Sequence, residues 1–184
     1  MDARISIAIF AALSVTAGYY ALGKIEDIRN SSIIQELQSI DTALKEFQTD
    51  MGVFYKQAIA NVDSLDDFKA LYNADYVNLD YKRLWNGPYI NEETTNHNLL
   101  GSYYLAYYRD DMSPCQSKGD CHVFIAITET PDEVWHYIND YIDGAGGSHL
   151  ENEEKAYITG KVRATTPKGT RTLLYKSVSK KIRR

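Results

Sequence analysis

The stretch that decides the fold is residues 33–51, IIQELQSIDTALKEFQTDM. Ile33, Leu37, Ile40, Leu44, Phe47 and Met51 follow one another at intervals of four, three, four, three and four. That period lays one apolar stripe along a helix whose other positions are polar. Gly52 stands where a helix C-cap is wanted, and neither Pro nor Gly falls between Lys24 and Met51. A free-standing coiled coil needs such a seam for longer, whereas a globular head can bury one of this length. The spacing therefore predicts a helix whose stripe packs on a folded head.

Toward the N-terminus, Ile5 to Leu22 reads ISIAIFAALSVTAGYYAL, 18 residues without a charge. As a helix it would measure roughly 27 Å, close to the thickness of a bilayer core. Ser6, Ser14, Thr16 and Gly18 interrupt it, and small or hydroxylated residues let helices approach closely. One helix from Ile5 to Met51 would be about 70 Å long, apolar all round at first and one-faced later. The expected division is 1–23, the transmembrane half of this helix, also suited to packing on other helices, and 24–184, an extracytoplasmic head. Flanking charges give no orientation, since Arg4 opposes Asp2 while Lys24 and Arg29 oppose Glu26 and Asp27. Val15-Thr16-Ala17 also suits a signal-peptide cleavage site; the helical pattern runs on past it, which favours an anchored helix.

Toward the C-terminus, Asp63 and Ser64 suit the start of a short helix to about Tyr72. Trp85-Asn86-Gly87-Pro88-Tyr89-Ile90 reads as a turn held by two large rings. Ser102–Tyr108 and His122–Thr128 read as strands joined by a loop holding Cys115 and Cys121. With Pro114 before them and Lys-Gly-Asp between, these two cysteines suit a disulfide more than a metal site. A bridge points to an oxidising compartment and places the N-terminus inside. The localisation expected is a single pass of the inner membrane, with the head in the periplasm or at the cell surface. Pro131 opens a helix to about Ile142, and Tyr157–Ala164 with Arg171–Val178 read as a closing hairpin. The fold class is α+β: a long N-terminal helix packed on an antiparallel sheet of about four strands.

The net charge of −5 hides an asymmetry. From Lys161 onward there are nine Lys or Arg and no acidic residue, whereas residues 1–160 carry 11 basic against 25 acidic side chains. An acidic body with a basic tail can associate head to tail, or the tail can lie along its own domain. No motif or aromatic interleaving marks it for nucleic acid. Tyrosine, at 15 copies against five phenylalanines, suits strands and interfaces.

The chain resembles type IV pilins and the pseudopilins of type II secretion, most of all the major pseudopilins. Residues 22–55 follow the family's helix-to-loop pattern, with Ala43, Leu44, Phe47 and Asp50 at its Ala-Leu-x-x-Tyr/Phe-x-x-Asp positions. Trp85, Gly87, Pro88 and Tyr89 match its Trp-x-Gly-Pro-Tyr head segment. Asp140-Tyr-Ile-Asp143-Gly144, followed by Gly160-Lys-Val-Arg163, is similar to its acidic-glycine loop and final strand. Together these cover about two-thirds of the chain. The family's basic leader ending in glycine is not matched; Asp2 stands at the position of its glutamate and Tyr19 at that of its helix-kinking proline.

The resemblance implies a structural subunit that assembles through its apolar helix into a type IV pilus or secretion pseudopilus. Its partners would be other pilin-like subunits, alike or different, and an inner-membrane assembly platform. Asp2 would neutralise a neighbour's N-terminal amine, and Ser6, Ser14 and Gly18 would allow close packing. The alternative is a membrane-anchored or secreted binding module, such as an adhesin head, that never polymerises. Major pseudopilins carry a calcium site near the C-terminus; Asp140, Asp143 and Glu151 could supply oxygen ligands, though their spacing matches no EF-hand. No other cofactor is expected. Nor is catalysis, because His97, His122, His136 and His149 form no metal spacing and no triad, and Gly144, Gly146 and Gly147 follow a helix, where no phosphate loop sits.

Overall fold

Helix α1 forms where the stripe predicts it. The computed structural model describes residues 29–59, 64–92, 100–115, 120–144, 160–165 and 171–179, and 29–51 are helical throughout. All six residues of the stripe are buried. The Thr42 and Thr49 hydroxyls donate to carbonyls one turn back, those of Gln38 and Lys45. Gly52 ends the helix at φ +67°, with its N–H on the Gln48 carbonyl; glycine takes this left-handed cap without a Cβ clash. The chain divides into two units, one ending at Glu36 and one running Leu37–Arg184. Of the first, residues 29–36 are described and are helical. The remaining architecture belongs to the second.

After α1 the chain makes short turns of helix: α2 (Tyr55–Ala58), α3 (Ser64–Lys69), a 3-10 turn (Ala74–Tyr76) and α4 (Leu79–Lys82). The Asn73 and Asn78 side chains accept from the N–H groups of Asp75 and Asp80, starting the last two. The predicted sheet then follows as β1 (Tyr103–Tyr108), β2 (His122–Thr130), β3 (Val162–Ala164) and β4 (Arg171–Ser179), with α5 (Asp132–Asp143) after β2. All pairs are antiparallel, and the order is β1-β2-β4-β3.

Register assigns the faces, because side chains alternate along a strand. Tyr103, Leu105 and Tyr107 share one face with Val123, Ile125, Ile127, Leu173, Tyr175, Val162 and Ala164. The α1 residue Asp41 reaches this face by accepting from Ser177 Oγ at 2.5 Å. Tyr104, Ala106, Tyr108, Phe124, Ala126, Leu174 and Lys176 take the opposite, outer face with Arg163. There Ala106, Phe124, Ala126 and Leu174 form a smaller apolar cluster under Tyr104, Tyr108 and Met112.

α5 closes the β3 edge through polar contacts. Trp135 Nε1 donates to the Arg163 carbonyl and Asn139 Nδ2 to that of Val162, each at 3.1 Å. The Asp143 carboxylate accepts from the N–H groups of Lys161 and Val162, at 2.9 and 2.8 Å. Arg171 lies over the Trp135 ring and pairs with Asp132. The predicted disulfide is present between Cys115 and Cys121, with Cα atoms 5.6 Å apart.

The expected single pass of the inner membrane is corrected. Among the described residues, no helix is long and apolar enough to cross a membrane. The physical reason is visible in α1, whose positions off the stripe include Glu36, Asp41, Lys45, Glu46 and Asp50. Residues 5–22, on which that expectation was placed, lie outside the described residues.

Candidate functional site

Two motifs far apart in the sequence meet on α1. Phe47 and Asp50 lie one turn apart near its C-terminal end, and the Trp85–Tyr89 turn sits against them. Tyr89 Oη donates to Asp50 Oδ2 at 2.7 Å and accepts from the Asn86 N–H at 3.0 Å. The Tyr89 ring stands edge-on to Phe47 at 5.5 Å and to Trp85 at 5.9 Å, geometries that aromatic quadrupoles favour. Phe47 in turn packs on Tyr55 at 4.6 Å. The turn is tied from behind, since Trp85 Nε1 donates to the Ala70 carbonyl at 3.0 Å and Tyr89 N to that of Leu71 at 2.8 Å.

Gly87 has to be glycine for want of room. A Cβ there would stand 2.7 Å from Trp85 Cζ2 and 2.8 Å from Tyr89 Cδ2. The peptide from Gly87 to Pro88 is cis. Burial pushes the Tyr89 hydroxyl up to about 12, with the Asp50 carboxylate adding to the effect and the Asn86 N–H opposing it. Tyr89 is therefore a neutral donor at physiological pH, as its bond to Asp50 requires.

Two more contacts fasten the helix and its neighbours. Asp41, buried, accepts from Ser177 and from Lys45 at 2.8 Å, and Lys161 Nζ lies 3.6 Å away. Lys161 also lies 4.4 Å above the Tyr175 ring. Burial works against its charge, but the Tyr175 hydroxyl and Asp41 outweigh it, and its pKa is raised. Buried Asp67 accepts from Tyr107 Oη at 2.6 Å through Oδ2, and from Tyr55 Oη at 2.7 Å through its carbonyl. Burial, then the Asp67 charge, raises both tyrosines.

Of the residues singled out from sequence, Trp85, Gly87, Pro88 and Tyr89 come together with Phe47 and Asp50. Cys115 and Cys121 are bonded to each other at the end of the β1–β2 hairpin. Asp143 serves the β3 backbone, and Asp140 lies one turn before it on α5. Asp2, Ser6, Ser14, Gly18 and Glu151 lie outside the described residues. Among the described residues, no group of three His, Cys, Asp or Glu side chains is placed to hold a metal ion.

Sequence reasoning missed a charged cluster on the outer face: Asp110 with His122, Arg163 and Lys176. A bond from Lys176 holds the Asp110 carboxyl down to about 2, helped by His122 and Arg163. Burial, then the Lys176 charge, pushes His122 below the ordinary imidazole range against the pull of Asp110. No local spacing signals such a group, since Arg163 and Lys176 lie 53 and 66 residues from Asp110.

The chain matches no family model, no curated protein and no solved structure.

Proposed function

We propose that this chain is a pilin-like structural subunit that assembles into a filament of the type IV pilus or secretion-pseudopilus kind. The observation that carries the reading is the seating of Trp85–Tyr89 on α1 through Tyr89, Asp50 and Phe47. These are the residues on which the resemblance rests, and a chance resemblance would give no reason for them to touch. A one-faced helix on an antiparallel four-stranded sheet supports the same reading. In it, α1 continues a long N-terminal helix, and residues 5–22 supply the assembling segment, with Ser6, Ser14 and Gly18 admitting close neighbours. Asp2 would meet a neighbour's N-terminal amine. The head stays outside the filament core, fastened to α1 at Asp50 and at Asp41 so that it moves with the helix it rides on.

The test follows the full-length chain through sheared-fibre, pelletable and soluble fractions of the native host, with mass measured on each. The expected result is chain in the fibre fraction, lost on Gly18→Ile. Full-length chain that never enters fibres, under conditions where the host makes them, overturns the proposal in favour of a non-polymerising binding head.

A further inference from the structure

The outer face of the sheet carries a charged group that the fastening of α1 does not use. Arg163, on β3, donates Nε to the Gly160 carbonyl at 2.9 Å, which fixes the guanidinium from its own strand. Its Nη1 donates to the Asp110 carbonyl at 2.9 Å and its Nη2 to Asp110 Oδ1 at 3.1 Å. Lys176, on β4, bonds the same Oδ1. His122 opens β2, and its Nε2 lies 3.3 Å from Asp110 Oδ2. That contact is a close charge pairing, and neither buried ring nitrogen makes a well-formed hydrogen bond. The register of β2 and β4 shifts between His122 and Phe124, and such irregularities commonly re-aim side chains at sites.

The burial is lopsided. The Arg163, His122 and Lys176 side chains are 5%, 11% and 24% exposed, whereas that of Asp110 is 61% exposed. Three nitrogen-bearing groups are thus built into three strands, and the acid that meets them hangs from a surface turn. Two permanent positive charges face one carboxylate, and buried charge is costly unless it is fully paired. The carboxylate also leaves the imidazole without a well-formed hydrogen bond. A neutral imidazole carries one N–H donor, and leaving a buried donor without a well-formed hydrogen bond is costly.

We propose that Arg163, Lys176 and His122 form an oxyanion-binding site in which Asp110 is a displaceable occupant. The group it takes is a phosphate, sulfate or carboxylate. Arg163 offers Nη2, the donor that now meets Asp110 Oδ1, Lys176 a point charge, and His122 an N–H. Asp110 has two oxygens on a fixed tether, while a free oxyanion can turn to serve all three at once. Two sources supply the chemistry: an anion in solution, or a carboxylate on a second copy, whose residues 1–160 are rich in acid. The site rests on the geometry of the head and stands or falls independently of filament assembly.

The experiment titrates inorganic phosphate into the full chain at neutral pH and follows the His122 ring resonances by NMR. The unsubstituted chain is expected to show a saturable His122 shift that Lys176→Met removes. Asp110→Ala, with Asp110→Asn as the variant that keeps the shape of the turn, is expected to bind phosphate about tenfold more tightly, because the tethered competitor is gone. No saturable His122 shift in the unsubstituted chain overturns the proposal. So does phosphate binding by both Asp110 variants no tighter than the unsubstituted chain's. Sedimentation of the Asp110 variants separates the sources. Self-association that phosphate dissolves identifies a carboxylate of a second copy, and a monomer that binds phosphate identifies a free anion.

Discussion

Tyr89 shows how one hydroxyl can join two segments. It donates to Asp50 and accepts from Asn86, so Tyr89→Phe leaves a part-buried carboxylate and a backbone N–H without that partner while keeping the ring against Phe47. The expected loss is about 1–2 kcal/mol in denaturant unfolding of the full chain at neutral pH. Alkali gives an independent reading. The folded pKa of about 12 lies above the ordinary 10.0, so the folded state holds its proton more tightly than the unfolded chain. The stabilisation is complete below pH 10 and lost as pH rises through about 12. Buried Tyr55 and part-buried Tyr104 and Tyr107 are raised as well, so the whole head weakens in that window. Tyr89→Phe should reduce this alkaline loss without abolishing it. An identical pH dependence in the variant would mean that Tyr89 carries no such linkage.

At the scale of the element, the β1–β2 hairpin shows what a short crosslink adds to paired strands. Six register pairs, Tyr103↔Ile127 to Tyr108↔His122, already hold it, and the disulfide closes the loop beyond them. Replacing both cysteines by serine should cost about 2 kcal/mol, the loop-closure entropy restored to the unfolded chain, read as a lower denaturation midpoint. No shift in midpoint would place the disulfide's role outside stability. Elements governed by local period were legible in sequence. Runs of strand-forming residues marked β1, β2 and β4 to within a residue or two, and the stripe marked the C-terminal part of α1. The 3-10 turn and α4 were not legible, because each is a single turn started by an asparagine side chain. The sequence showed both halves of the Tyr89–Asp50 contact, but 39 residues separate them, and only the fold reveals that they touch. The Asp110 group had still less signal, since charges scattered over three strands leave no pattern until register is known.

At the scale of the molecule, the charge is unevenly distributed along the chain: 11 basic and 25 acidic side chains through residue 160, then nine basic and no acidic ones. The structure shows that part of this basic segment is already engaged. Arg163 and Lys176 hold Asp110, Lys161 lies beside Asp41, and Arg171 pairs with Asp132. Lys168, Lys180, Lys181, Arg183 and Arg184 lie outside the described residues, and the last four are the charges proposed to meet a neighbour's acidic head in the filament. Long-range attraction of this kind acts mainly on the rate of encounter. Reversing all four to glutamate should therefore slow assembly about tenfold at low salt, and the defect should vanish near about 1 M salt, where the screening length falls to about 3 Å. Fibre yield from sheared cells, or light scattering from purified chain, reads it directly. A defect that persists at high salt would indicate lost packing, and none at either salt would show that the tail charges play no part in assembly.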